Sequence, residues 1–186
     1  MMNSPNIDRY VVGIFANSKG VGITLIGTNK EIDTFWVFDH IYQDKATICG
    51  IKDTLDSLFN RFPQIRNIHI NNIENLRREL NSSYKNQLYI NKNDIAKDGF
   101  IYVEKRSEVK IIDFEAENLA FVLNSYINDG RLIFNDSLLE KKSNLKSEIE
   151  DYKLNVVNQS VFSLYIAISE IEPIETRFLC GTVRRD

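Results

Sequence analysis

The residues of this 186-residue chain that could do chemistry are two histidines, two cysteines and an uneven set of acids. Carboxylates are plentiful, yet no Asp or Glu occurs at 11–29, 62–72 or 155–168. Asp8 stands before the first of these stretches and Glu74 just after the second, while Asp129, Glu150 and Asp151 fall near the ends of later segments. Converging carboxylates hold Mg²⁺ or Mn²⁺ and activate water for hydrolysis. Were Asp8, Glu74 and one of the later acids to converge, a divalent-metal nuclease site would follow, with raised or coupled carboxyl pKa values. His40 and His69 have no Cys or Asp at metal-ligand spacing, and His69, inside a strand-like run, reads as structural. Asp39 and His40 are neighbours, but adjacent strand residues face opposite ways and cannot act as one dyad. Cys49 and Cys180 form no CxxC and read as ordinary thiols of a reducing, cytoplasmic compartment.

Lys and Arg number 23 against 26 Asp and Glu, a formal net charge of −3. That balance lacks the electrostatic footprint of tight, sequence-independent DNA binding. Basic doublets remain at Arg77 and Arg78, Lys105 and Arg106, Lys141 and Lys142, and Arg184 and Arg185. The third shares its segment with Glu140, Glu148, Glu150 and Asp151 and reads as a self-paired, solvated face. Arg77, Arg78, Lys105 and Arg106 are the residues a local nucleic-acid groove could gather. The N-terminus lacks the apolar core of a signal peptide, and no stretch approaches ~18 apolar residues, so no membrane insertion is expected. No GxxxxGK[ST] occurs, which excludes ATP-driven translocation by this chain.

The elements that must position these residues follow from periodicity. Residues 10–15 (YVVGIF), 21–27 (VGITLIG) and 32–42 (IDTFWVFDHIY) read as three strands joined by short turns, an antiparallel meander. Residues 46–62 carry apolar side chains at spacings of three and four, an amphipathic helix stopped by Pro63. Residues 65–70 (IRNIHI) form a fourth strand, expected parallel to the first because a helix crosses back between them. A short helix is expected at 73–80, a fifth strand at 87–90, a hairpin arm or loop at 100–108 and a long helix at 110–127. A brief strand at 131–134, a charged helix at 137–152 and an apolar helix or, less readily, a strand at 160–171 complete the chain. The organisation is an N-terminal lead (1–9), one domain (10–172) and a tail (173–186). The tail, with Phe178, Leu179 and Val183, adds an edge strand or docks a partner by strand addition. The fold class is α/β, a mixed five-stranded sheet of three antiparallel strands followed by parallel ones, flanked by helices, as in ribonuclease H-like folds.

The second half narrows this further. The run AFVLNSYINDGRLIF (120–134), the segment at 138–152 ending SEIEDY and the run NQSVFSLYIAI (158–168) resemble, in order, elements of the nuclease domain of terminase large subunits, the viral DNA-packaging enzymes. The resemblance implies catalytic acids at the end of the first strand, just after the fourth strand and at the opening of the final helix. In this chain those positions hold Phe15, then Asn71 and Asn72, then Asn158 and Gln159. Amides offer a carbonyl dipole without charge, and a benzyl ring offers nothing, so the expectation is a pseudo-nuclease with no metal and no catalytic residue. Taken as local structure, Phe15 is a core residue, one of Asn71 and Asn72 caps the helix at Ile73, and Asn158 caps the final helix. The resemblance further implies a phage or prophage setting, cytoplasmic in the host or virion-associated, and a packaging component, another virion protein or nucleic acid as partner. The alternative is a Mg- or Mn-dependent DNA nuclease of terminase or resolvase type built on the displaced acids.

Overall fold

The structure is a computed structural model that describes residues 7–29, 34–45, 47–85, 88, 109–112, 116–135, 145–152 and 157–169. Strands β1 (Arg9–Ala16), β2 (Gly20–Asn29) and β3 (Thr34–Asp44) form the meander. Helix α1 (Ile48–Arg61) crosses back, and β4 (Asn67–Ile70) pairs parallel with β1. Then come α2 (Glu74–Tyr84), β5 (Val109–Ile111), α3 (Ala116–Asn128), β6 (Leu132–Phe134), α4 (Leu145–Glu150) and α5 (Gln159–Ser169). The sheet order is β5-β4-β1-β2-β3-β6.

The strand pleat divides the core. Val12, Ile14, Ala16, Val21, Ile23, Leu25, Ile68 and Ile70 point to the face covered by α1 and α2, where Leu55, Leu58, Leu76 and Leu80 meet them. Val11, Phe15, Ile26, Phe35 and Val37 point to the face covered by α3, α4 and α5. Helix α1 starts where its stripe begins: Thr47 Oγ1 accepts the Gly50 N–H at 3.1 Å, the hydroxyl cap that its first turn needs. Helix α5 has to bury nearly all its sides, since Ser160 to Ile168 are all buried. It lies so near the sheet that a Cβ on Gly13 would sit 2.1 Å from the Ser163 carbonyl oxygen, and one on Gly22 2.1 Å from that of Gln159.

Three expectations are corrected. The sheet has six strands, because Leu132–Phe134 joins the free side of β3. The strand beside β4 is Val109–Ile111; of the expected range 87–90 the structure describes Leu88 alone, whose N–H bonds the Tyr84 carbonyl and prolongs the turn of α2, and the other three residues lie outside the described residues. The long helix accordingly begins at Ala116 and not at 110. The alternation of Val109, Lys110 and Ile111 puts Val109 and Ile111 opposite Ile68 and Ile70, and Asn81 Oδ1 accepts the Val109 N–H at 2.9 Å. Ile111 falls inside the range expected to be helical, but two branched side chains on one sheet face, Val109 and Ile111, favour the strand. The loop at 100–108, Lys141 and Lys142, and the tail from 173 onward lie outside the described residues.

Candidate functional site

Parallel neighbours β1 and β4 end at the same edge of the sheet, and α5 begins beside it. This corner gathers the positions singled out from the sequence. Phe15, the last α5-facing residue of β1, is buried and meets Phe162 edge-on with ring centroids 4.8 Å apart. Tyr152 closes the group, 5.9 Å from Phe162 between centroids. Burial raises the Tyr152 phenol pKa above its ordinary value. The corner is thus filled by three rings.

The amides are committed as well. Asn71 Oδ1 accepts the Ala16 N–H at 3.0 Å, and its Nδ2 donates to the Ala16 carbonyl at 2.9 Å. Asn71 therefore splices the end of β4 to the end of β1, and it does not cap α2: the residue at that cap is Ile73, which makes no side-chain capping bond. Asn72 is exposed. Asn158 does cap α5, its Oδ1 accepting the Val161 N–H at 3.0 Å while Nδ2 donates to Glu148 Oε2 at 3.1 Å. Gln159 is buried and donates to Asn17 Oδ1 at 3.0 Å. That same oxygen accepts the N–H groups of Lys19 and Gly20, closing the β1–β2 turn. Residues 15–17 are the hub: Phe15 touches α5, Ala16 is held by Asn71, and Asn17 by Gln159.

The displaced acids do not meet. Asp8 precedes β1 and Glu74 follows β4; since the strands run parallel in register, these lie about 20 Å apart along the sheet at ~3.3 Å per residue. Glu74 is occupied by its own helix, accepting from Arg77 at 2.8 and 2.9 Å and from Arg78 at 3.2 Å. The Arg77 hydrogen bond, followed by that of Arg78, holds its carboxyl below the usual range. Arg77 and Arg78 thus share one carboxylate, and Lys105 and Arg106 are outside the described residues. Asp129 accepts from Ser125 Oγ at the end of α3, Glu150 faces Lys146 at 4.0 Å, and Asp151 is exposed beyond α4. Among the described residues no three His, Cys, Asp or Glu side chains are grouped as metal ligands. The residues at the corner do not suit Mg²⁺ or Mn²⁺, which need anionic oxygens where this chain has rings and hydrogen-bonded amides.

One polar row escaped the sequence reading. His69, Gly13, Thr24 and His40 stand side by side across β4, β1, β2 and β3, all beneath α5. His69 is fully buried, and its Nδ1–H donates to the Ile166 carbonyl at 3.2 Å. His40 belongs to the row through a bulge: Leu25 pairs with Asp39 but Ile26 pairs with Val37, so Phe38 is the extra residue. Phe38 and Asp39 therefore both face α1, against Phe62 and Arg61, and His40 turns to α5. The rule that neighbours face apart holds for Asp39 and His40, but the parity of the strand resets at Phe38. A bulge has no clear mark in IDTFWVFDHIY.

No protein-family model and no curated protein matches the chain. Solved structures do. The nuclease domain of the large terminase g2p of bacteriophage SPP1, with bound Mn, superposes with a TM-score of 0.57 at 9% identity, over 90% of this chain and 89% of that one. The large terminase of a thermophilic bacteriophage gives 0.62 at 9% identity over 91% of this chain, which spans only 40% of that longer protein. The yeast mitochondrial Holliday junction resolvase Ydc2 gives 0.50 at 15% identity, over 88% of this chain and 80% of that one. Among the described residues no helix is long and apolar enough to cross a membrane. The chain has the ribonuclease H-like fold of the terminase nuclease domains.

Proposed function

We propose that this chain is a non-cleaving relative of the terminase nucleases, kept as a binding or structural module in a phage or prophage assembly. The observation that supports this most is the contact of Phe15 with Phe162: two rings 4.8 Å apart occupy the corner where a hydrolytic site of this fold would need charge. Two-metal hydrolysis requires ligands that compensate the ions and fix an attacking water. Phe15 cannot ligate, Asn71 has both amide groups on the backbone of Ala16, and Asn158 and Gln159 serve the cap and the turn. Each has a structural task that an acid could not take over unchanged. The partner, on this reading, is a packaging component, another virion protein or nucleic acid, met in the host cytoplasm or in the virion. No metal cofactor is required.

The test is a cleavage assay on plasmid and four-way-junction DNA with Mg²⁺ and then Mn²⁺. No turnover is expected. Turnover that disappears in Glu74→Gln or Asp151→Asn would establish the alternative, a nuclease working through displaced acids.

A further inference from the structure

From Val161 to Ile168 every residue of α5 is buried, and all but Ser163 are apolar or aromatic. Such a helix lacks the one-sided stripe that fixes how a surface helix turns about its own axis. Its seat on the sheet needs a more specific key. Gly13 and Gly22 let the helix come close, and a file of polar groups meets it from β2 and β3.

His40 Nδ1 lies 2.9 Å from Thr24 Oγ1, Thr24 Oγ1 lies 2.7 Å from Ser163 Oγ, and Ser163 Oγ lies 2.9 Å from the Ser160 carbonyl oxygen. That carbonyl can only accept, so the single Ser163 proton goes to it. The hydroxyl of Thr24 must then donate to Ser163, which leaves Thr24 Oγ1 to accept from the ring. The opposite direction leaves two oxygens facing each other without a proton. Thr24 and Ser163 are wholly buried, so no water corrects such a fault.

We infer that His40, Thr24 and Ser163 form a latch with a single proton order, which holds the neutral imidazole as its Nδ1–H tautomer and fixes the seat of α5. The order runs from His40 Nδ1–H to Thr24, from Thr24 to Ser163, and from Ser163 to the Ser160 carbonyl. Burial pushes the ring pKa down to about 4, so at neutral pH the ring is uncharged and its tautomer is a definite state. Which nitrogen carries the proton is set by the hydrogen bonds of the ring. Ser163 follows Phe162, whose ring closes on Phe15, so the latch also holds that contact in place. It does so whether or not the corner cleaves DNA.

The test uses the full chain with ¹⁵N-labelled histidine at pH 7.5. NMR of the ring nitrogens shows which one carries the proton, and the parent chain shows Nδ1–H at His40. Ser163→Ala removes the acceptor of the Thr24 proton. Thr24 then donates to the ring, and His40 changes to the Nε2–H tautomer, although the substituted residue bonds Thr24 and not the ring. Thr24→Ser keeps the hydroxyl and keeps Nδ1–H, and His69, bonded to the Ile166 carbonyl, is unchanged throughout. Hydrogen exchange reads the seat: in Ser163→Ala the amides of 164–168 exchange about tenfold faster relative to those of 12–14 in β1. An Nε2–H tautomer in the parent chain, or Nδ1–H retained in Ser163→Ala, overturns the proton order. The parent-chain reading needs no variant and decides the order even if Ser163→Ala folds poorly. Equal acceleration in α5 and β1 overturns the claim that the latch sets the seat.

Discussion

The side chain of Asn71 closes on the backbone of Ala16 from both sides, accepting its N–H at 3.0 Å and donating to its carbonyl at 2.9 Å. The pair works as one more rung between β4 and β1, beyond the last backbone pairing at Ile14 and Ile70. It needs a group that is donor and acceptor at once. A carboxylate accepts only, so an ionised acid here would confront the Ala16 carbonyl with a second oxygen.

Asn71→Asp should therefore cost about 2–3 kcal/mol, the loss of one hydrogen bond together with an unsatisfied, opposed carbonyl. In a chain of this size that lowers Tm by roughly 5–10 °C. Thermal unfolding at pH 7 checks it, and an unchanged Tm would show that the splice contributes nothing.

Phe15 is core in the full sense, with a ring partner and little exposure. Phe15→Ala should destabilise by about 3–5 kcal/mol and Phe15→Leu by about 1 kcal/mol, measured by urea unfolding. Phe15→Asp should be at least as damaging as the alanine and should not by itself restore cleavage, because one acid among amides is not a two-ion site.

Gly13 lets α5 approach. Gly13→Ala would place a methyl 2.1 Å from the Ser163 carbonyl oxygen and 2.7 Å from the Ala167 backbone nitrogen. Neither is a flexible side-chain tip, so the helix must lift, at a cost of about 3 kcal/mol or more. Urea unfolding measures it, and the lift should also break the Thr24–Ser163 contact.

The pH dependence has a definite sign. The folded pKa of His40 is lowered to about 4 from 6.5, so the unfolded chain binds more protons in between. The stabilisation is complete above about pH 6.5 and is lost as pH falls toward 4. Over that window His40 accounts for roughly 3 kcal/mol. His40→Gln should flatten the slope of stability between pH 4 and 6.5 against the parent chain.

Periodicity made much of this legible. The meander, α1 with its stop at Pro63, the parallel return of β4 and the final apolar helix follow from side-chain spacing, and the structure contains each of them. Phe15, Asn71 and Gln159 could be singled out as neutral residues at strand and helix ends. Their partners could not: Asn71 to Ala16 and Gln159 to Asn17 are contacts across 55 and 142 residues, set by how the helix lies on the sheet. Phe162 read as one apolar residue among many. The bulge at Phe38, which delivers His40 to α5, is a backbone event with no residue type that demands it. β5 is three residues long, as is β6, but β6 follows Gly130 whereas no Gly or Pro separates β5 from the helix-forming residues behind it.

The central claim is tested most directly by titrating the parent chain with Mg²⁺, and then Mn²⁺, in a calorimeter at pH 7.5. The account predicts no saturable binding up to ~10 mM, since a single carboxylate beside the corner, Glu148 on Asn158, is too little charge to hold the ions. Saturable binding of two ions that is lost in Glu74→Gln or Asp151→Asn would contradict it.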